Sequence, residues 1–303
     1  MKVFLKNTAS VVSPAKLNLF LDVVDKRPDG YHNIVTLFER IDLCDVIRLI
    51  KISSDEIVVS SNSQDIPLDR QNLAYQAADL LKRSLGIKTG IKIEIEKNIP
   101  VGAGLGGGSS NAASVLLGLN KLLRLKLDQR TLISYANRLG SDVAFFVLGK
   151  KFALGRGKGG DLKALAVPKR VKLRHLLFVP PLKIMTKDVY GLLDKEENRQ
   201  KSLKLTKKSP DVNILVSLLR RNDVSLLNQN IHNRLSKTVM NSYSLVSDLK
   251  TDLCKFGLKN VHMSGSGPTL FSTFKTHDEA QRLFEVMRHR FSDRCSIFLV
   301  STL

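Results

Sequence analysis

The chain has 303 residues, 43% hydrophobic and 25% charged, the composition of a soluble globular protein with room for two domains. Forty-eight Lys and Arg against 28 Asp and Glu give a formal net charge of +20, a field that favours anionic partners: nucleic acid, a membrane surface or phosphorylated small molecules. Cys44, Cys254 and Cys295 lie far apart and exclude a disulfide framework or zinc cluster. Met1–Lys6 is too short for a leader core and the longest apolar run, Val143–Leu148, is far below a membrane span, so a reducing, cytoplasmic setting is expected.

In chain order, Leu17–Val24 reads as a strand closed by the turn Arg27-Pro-Asp-Gly30, and Ile34–Leu43, Asp45–Ile52 and Glu56–Ser60 read as further strands. Asn72 caps a helix with Leu73, Ala77, Leu80 and Leu81 on its apolar face and Gly86 as its stop. Ile91–Lys97 alternates strictly, as a strand with one wet face does. A glycine-rich loop follows, then a helix for which Ser109, Ser110 and Asn111 offer N-cap chemistry. Asp128 opens another helix that ends at Gly140, and the apolar run Asp142–Leu148 leads into Lys151–Leu154.

Between Lys150 and Arg174 nine Lys and Arg face one acid, Asp161, among interleaved glycines. This shift divides the chain into an N-terminal domain over 1–165 and a C-terminal domain over 166–303. In the second, Leu176–Val179 reads as a strand, Thr186–Leu193 as a short helix and Lys201–Ser209 as a basic loop. Helices are expected at 211–220, 234–256 and about 277–291, with strands at Asn260–Met263, Thr269–Phe274 and Ser296–Ser301. The turn Ser264-Gly-Ser-Gly-Pro268 joins two of these strands. The whole is α+β, with no internal repeat.

Gly102, Gly104, Gly106, Gly107 and Gly108 crowd into seven positions between the alternating strand and its helix. A glycine loop that feeds a helix N-terminus makes an anion seat, because unpaired amides and the positive end of the helix dipole face one point. The expected occupant is phosphate. The P-loop pattern fails, since no lysine precedes Ser109. GxGxxG matches formally at Gly102, Gly104 and Gly107, but the preceding strand has a wet face and no acid closes a second strand about 20 residues on. The protein-kinase glycine loop joins two strands, whereas a helix follows here.

Pro100–Ser110, with Pro14-Ala-Lys-Leu-Asn18 upstream and Ser264–Pro268 downstream, resembles the three motifs of the GHMP kinase superfamily, which includes galactokinase, homoserine kinase and mevalonate kinase. Arg27-Pro-Asp-Gly-Tyr-His32 and Gly140-Ser-Asp-Val143 narrow the resemblance to members whose acceptor is an alcohol carrying a cytidine diphosphate, in the non-mevalonate route to isoprenoid precursors. The resemblance implies a two-domain GHMP kinase fold, with a ribosomal-protein-S5-domain-2-like N-terminal domain that binds ATP and a ferredoxin-like C-terminal domain that completes the substrate cleft. It implies ATP-dependent phosphorylation of a small molecule with Mg²⁺ accompanying the nucleotide, and a monomer or weak homodimer with neither nucleic acid nor membrane as partner. Another alcohol of the superfamily, such as homoserine or mevalonate, is the alternative acceptor. An RNA-binding module also fits the charge, although Lys150–Arg174 contains only one aromatic, Phe152.

Lys16, by its residues alone, is either a strand lysine snorkelling to solvent or a placed cation. The resemblance makes it the cation at the phosphorylated hydroxyl, with Asn18 holding the same substrate. Asp142 is either a cap or a carboxylate at the edge of a core; the resemblance makes it the catalytic acid/base. Ala144 stands where the family usually has proline. Tyr31 and His32 follow a glycine turn and are expected exposed at a loop tip. By resemblance His32 hydrogen-bonds the pyrimidine edge, and Tyr31 and Tyr190 stack on it. Gly265, Ser266 and Gly267 are a plain tight turn or, by resemblance, pack beside the phosphate loop and the substrate diphosphate. Pro100, Val101, Gly102, Ala103, Gly104, Leu105, Gly106, Gly107, Gly108, Ser109 and Ser110 are implied for ATP, with Asn72 and Lys97 bordering its adenine and ribose. His175, His232, His262, His277 and His289 show no ligand spacing, and no metal site of the protein's own is expected.

Overall fold

The computed structural model describes residues 2–4, 7–202 and 210–303. Strands β1 (Lys2–Phe4), β2 (Thr8–Lys26), β3 (His32–Ile52) and β4 (Ile57–Ser61) precede helix α1 (Leu73–Leu85), strand β5 (Gly90–Glu96) and helices α2 (Gly107–Leu122), α3 (Gln129–Leu139) and α4 (Ser141–Leu148). Strands β6 (Phe152–Arg156) and β7 (Asp161–Ala164) follow. Along β1-β2-β3-β5-β4 the strands of this sheet are antiparallel except for the β4–β5 pair, and β6 and β7 continue antiparallel from β3.

Burial along β2 shows how the layers meet. Thr8–Ser13 alternates, as a strand covered on one face must, and Ser13–Val23 is buried throughout, covered on both. One face packs on α1–α4, where Ala77, Leu81, Leu116 and Phe145 form a core with Leu49 and Ile93. The other face meets the C-terminal half. Pro14 stands at a register shift in the β2–β3 ladder, between Pro14 and Ala15, an irregularity of the kind where proline is tolerated in a sheet. The two strands expected over 34–43 and 45–52 are one strand, β3, passing through this irregularity.

The C-terminal half comprises β8 (Arg174–Val179), α5 (Thr186–Ser202), α6 (Val212–Arg221), α7 (Val224–Asn230), β9 (His232–Asn233), α8 (Ser236–Ser242), α9 (Ser244–Lys255), β10 (His262–Met263), β11 (Leu270–Phe274), α10 (His277–Phe291) and β12 (Ser296–Ser301). Its antiparallel sheet runs β10-β11-β8-β12. Leu17, Leu37 and Ile41 of the first half share one apolar core with Leu177, Leu215 and Phe271 of the second. Strand β9 also adds to the N-terminal sheet, parallel to β2. No described helix is long and apolar enough to cross a membrane.

Several elements differ from expectation. The helix expected over 234–256 is two, α8 and α9, broken where Tyr243 takes an extended conformation. Helix α5 runs past Leu193 to Ser202. The basic loop expected at Lys201–Ser209 lies, from 203 on, outside the described residues.

Candidate active site

The glycine loop turns on Gly102, Gly104 and Gly106, all left-handed (φ 70, 75 and 70°). Gly106, not Ser109, Ser110 or Asn111, is the N-cap of α2, so the helix starts earlier than side-chain capping suggests. The first intrahelical bond is Ser110 N–H to Gly106 O, 2.9 Å. The amides of Gly107, Gly108 and Ser109 therefore precede the helical ladder and stand at the positive end of the dipole. Ser110 turns inward: fully buried, its hydroxyl accepts from Ser13 Oγ at 2.8 Å, so its side chain does not serve the seat.

The Ser264–Pro268 turn forms the floor of the loop. A Cβ on Gly104 would lie 2.5 Å from Ser264 O and 2.8 Å from Gly267 O. Thr269 Oγ1 donates to Ala103 O (2.6 Å) and Ser264 Oγ to Gly104 O (3.3 Å). Gly265 takes a left-handed φ of 57°, and a Cβ there would sit 3.1 Å from Gly104 O and 3.2 Å from both Asn18 Oδ1 and Lys16 Nζ. Ser266 Oγ meets Thr186 Oγ1 at 3.0 Å.

Lys16 is buried, so it does not snorkel. Its backbone N–H donates to Leu105 O (3.0 Å), and its stem runs beneath the loop, where a Cβ on Gly106 would lie 2.9 Å from Lys16 Cγ. The ammonium donates to Asn18 Oδ1 and lies 3.4 Å from Asp142 Oδ2. Asn18 Nδ2 donates to Thr36 Oγ1 (2.7 Å), which donates to Phe20 O (2.8 Å), fixing the amide's orientation. Asp142 sits in the first turn of α4, whose N-terminus attracts a carboxylate, and a third of its side chain is exposed. Thus a cation and a carboxylate from elements 126 residues apart meet at the rim of the glycine loop.

Both line a cleft of about 470 Å³ whose walls come from the two halves: Asn72, Lys97 and the 100–109 loop on one side, and Ile184–Thr186, Tyr190, Gly265 and Ser266 on the other. Asn72 is committed to the fold, since its Oδ1 accepts from Ala74 N (2.9 Å) and its Nδ2 donates to Pro67 O (2.7 Å). The Lys97 side chain is only 5% exposed and donates to Asp45 Oδ2 (2.6 Å) and Ile99 O (2.8 Å). Burial holds its ammonium below the usual lysine range, although Asp45 pulls the other way.

The far end of the cleft departs from expectation. Tyr31 is exposed (61%) and lies outside the cleft lining, with Lys158 Nζ 4.1 Å from its ring centroid. His32 is not exposed but 9% accessible, because β3 begins with it and α5 lies alongside. Its ring stacks on Tyr190 (centroids 4.8 Å, 26°), and Nε2 donates to Asp194 Oδ1 at 2.8 Å. Tyr190 reaches the cleft itself; burial, with the Asp142 charge as a second cause, pushes its phenol above the usual tyrosine range. Burial raises the Asp194 carboxyl, but hydrogen bonds from Lys26 and His32 outweigh it and leave it below the usual carboxylate range. Asp45, Ser13, Thr36 and Asp194 were not legible as site residues. Each acts through a partner distant in sequence; Ser110 and Asn111 in their network carried a local signal, read as a cap.

Among the described residues, no group of three or more His, Cys, Asp or Glu side chains could hold a metal ion. The family model for the GHMP kinases N terminal domain matches residues 72–150 and that for GHMP kinases C terminal matches 215–293. The 4-diphosphocytidyl-2-C-methyl-D-erythritol kinase of Exiguobacterium sibiricum is 38% identical over 281 residues, 93% of this chain and 94% of its own. That of Clostridioides difficile is 40% identical over 269 residues, covering 88% and 87%. A crystal structure of 4-(cytidine 5'-diphospho)-2C-methyl-D-erythritol kinase superposes with a TM-score of 0.77 at 33% identity, covering 96% of this chain and 98% of that one. The mevalonate kinase of L. major, solved with R-mevalonate, shares the fold at 15% identity, with a TM-score of 0.76 and coverage of 100% and 98%. Identity of this level across nine-tenths of the chain, with both family domains in order, shows that the chain belongs to the GHMP kinases, in the branch of the 4-diphosphocytidyl-2-C-methyl-D-erythritol kinases.

Proposed function

We propose that the chain transfers the γ-phosphate of ATP to the 2-hydroxyl of 4-diphosphocytidyl-2-C-methyl-D-erythritol, with the triphosphate seated on the amides of Gly107–Ser109. The observation that carries this reading is the approach of Lys16 and Asp142, 3.4 Å apart, at the rim of that seat. Asp142 accepts the proton of the attacking hydroxyl, and the Lys16 ammonium stabilises the developing alkoxide. Asn18, held by Thr36, keeps the ammonium in place and offers the acceptor a polar contact. Positioning of this kind supplies most of the catalysis in phosphoryl transfer, where the protein does little covalent chemistry.

Mg²⁺ neutralises phosphate charge when bound with the nucleotide. Ser109 and Asp142 are the side chains on the cleft that would hold it beside the nucleotide's phosphates. The buried His32, aligned by Asp194, and the Tyr190 ring mark the acceptor's cytidine end. The same reading makes the chain a cytoplasmic enzyme, a monomer or weak homodimer, whose partners are small anions rather than nucleic acid or membrane.

Turnover of ATP with a panel of alcohols tests it. The cytidyl substrate should be phosphorylated at least a hundredfold more efficiently than mevalonate or homoserine. Robust turnover of either of those, with none of the cytidyl substrate, overturns the assignment.

A further inference from the structure

A carboxylate outside the cleft lining holds the glycine loop at both ends. Asp45, on β3, is fully buried, and its two oxygens take four donors. Oδ1 accepts the backbone N–H groups of Asn98 and Ile99, both at 2.8 Å. Oδ2 accepts Lys97 Nζ at 2.6 Å and Asn111 Nδ2 at 2.8 Å. Asn111 Nδ2 also donates to Ser13 Oγ (3.0 Å), which donates to Ser110 Oγ, so β2, β3, the strand side of the loop and the first turns of α2 meet at one point. Between the two anchored ends run residues 100–109, five of them glycine, which lose more backbone freedom on ordering than any other residue type.

We infer that Asp45 is the positioning residue of the nucleotide seat: one carboxylate fixes both lips of the glycine loop and holds the Lys97 ammonium beside the start of α2. The ammonium stands where a Cβ on Gly107 would be 2.9 Å away, so its place is set at the mouth of the seat. A buried carboxylate is costly unless paired and hydrogen-bonded, and these four donors, one of them a cation, meet that condition. The inference rests on the reading that this loop seats the triphosphate. An asparagine at 45 offers one acceptor oxygen and an amide that must face either Lys97 and Asn111 or the two backbone amides, so one lip is released in either orientation.

The test compares Asp45→Asn, Asn111→Ala and Gly108→Ala with the parent protein, measuring ATP binding by calorimetry, KM for each substrate, and amide exchange at 97–111. All measurements are made at a temperature where circular dichroism shows the variant folded. Asp45→Asn should weaken ATP at least tenfold and speed exchange at Asn98 and Ile99, with the acceptor KM within twofold of the parent. Asn111→Ala, which removes one arm, should weaken ATP about threefold, and it carries the test should Asp45→Asn not fold. If ATP and acceptor weaken together, Asp45 merely supports the fold and the inference is overturned. If ATP binding is unchanged in these two variants while Gly108→Ala weakens it, the loop seats the nucleotide but Asp45 does not position it. If Gly108→Ala also leaves ATP unchanged, the loop is not the seat, and the inference falls with that reading.

Discussion

The two ends of the cleft are built on different principles. At the glycine-loop end the wall is main chain, shaped by left-handed glycines and pinned from behind by Asp45, Thr269 and Ser264. At the end bordered by α5, side chains gather instead, with His32 on Tyr190 and Asp194 on His32, drawn from segments more than a hundred residues apart. Backbone recognition suits a ligand with few distinguishing features beyond charge, such as a triphosphate. Side-chain recognition suits one that must be told apart from similar molecules. Between the ends stand Lys16 and Asp142, which the proposed function assigns to both ligands.

That contrast can be broken in four places. Asp142→Ala should have the largest effect, lowering kcat about a thousandfold while calorimetric ATP affinity stays near the parent value. A variant that keeps most of its kcat removes Asp142 as the base. Gly108→Ala should weaken ATP by about tenfold or more. The added methyl meets only Leu73 Cδ1, at 3.7 Å, so the fold accepts it and the melting temperature holds or rises, alanine being the better helix former by about 0.5–1 kcal/mol. A fall in both melting temperature and affinity would mean that the loop was distorted rather than its seat filled. His32→Ala should raise the acceptor KM about tenfold and spare ATP; equal effects on both substrates would erase the distinction between the ends. Asp194→Asn, which keeps an acceptor for His32 Nε2 but loses the charge facing Lys26, should raise the acceptor KM only about twofold to threefold. A larger loss than that of His32→Ala would mean that the carboxylate meets the substrate itself.

The same division explains what could be read without coordinates. Helix α1 was legible at both ends because its signals are local: Asn72 accepts from Ala74 N, and Gly86 closes the last turn at φ 65°. Helix α2 was placed too late because its cap is Gly106, which uses backbone conformation and leaves no side-chain signature. Tyr243 breaks 234–256 without a proline or glycine to mark it. The glycine loop by itself pointed to a phosphate seat, whereas Lys16 and Asp142 carried alternatives until the fold brought them within 3.4 Å. His32 was expected at an exposed tip because a glycine turn precedes it, and its burial depends on α5, more than 150 residues away. Asp45 lies in a strand with nothing nearby in sequence to suggest that four donors converge on it.

The apolar seam between the halves has its own consequence. Leu17, Leu37 and Ile41 are completely enclosed in a core that they share with Leu177, Leu215 and Phe271, and each such side chain contributes roughly 1.5–3 kcal/mol by leaving water. A fragment cut within the basic stretch would bare this oily surface and lose the β9 partner of β2, so neither piece should survive expression by itself. Exchanging C-terminal pieces among relatives to alter the preferred alcohol would therefore require the seam to travel with them.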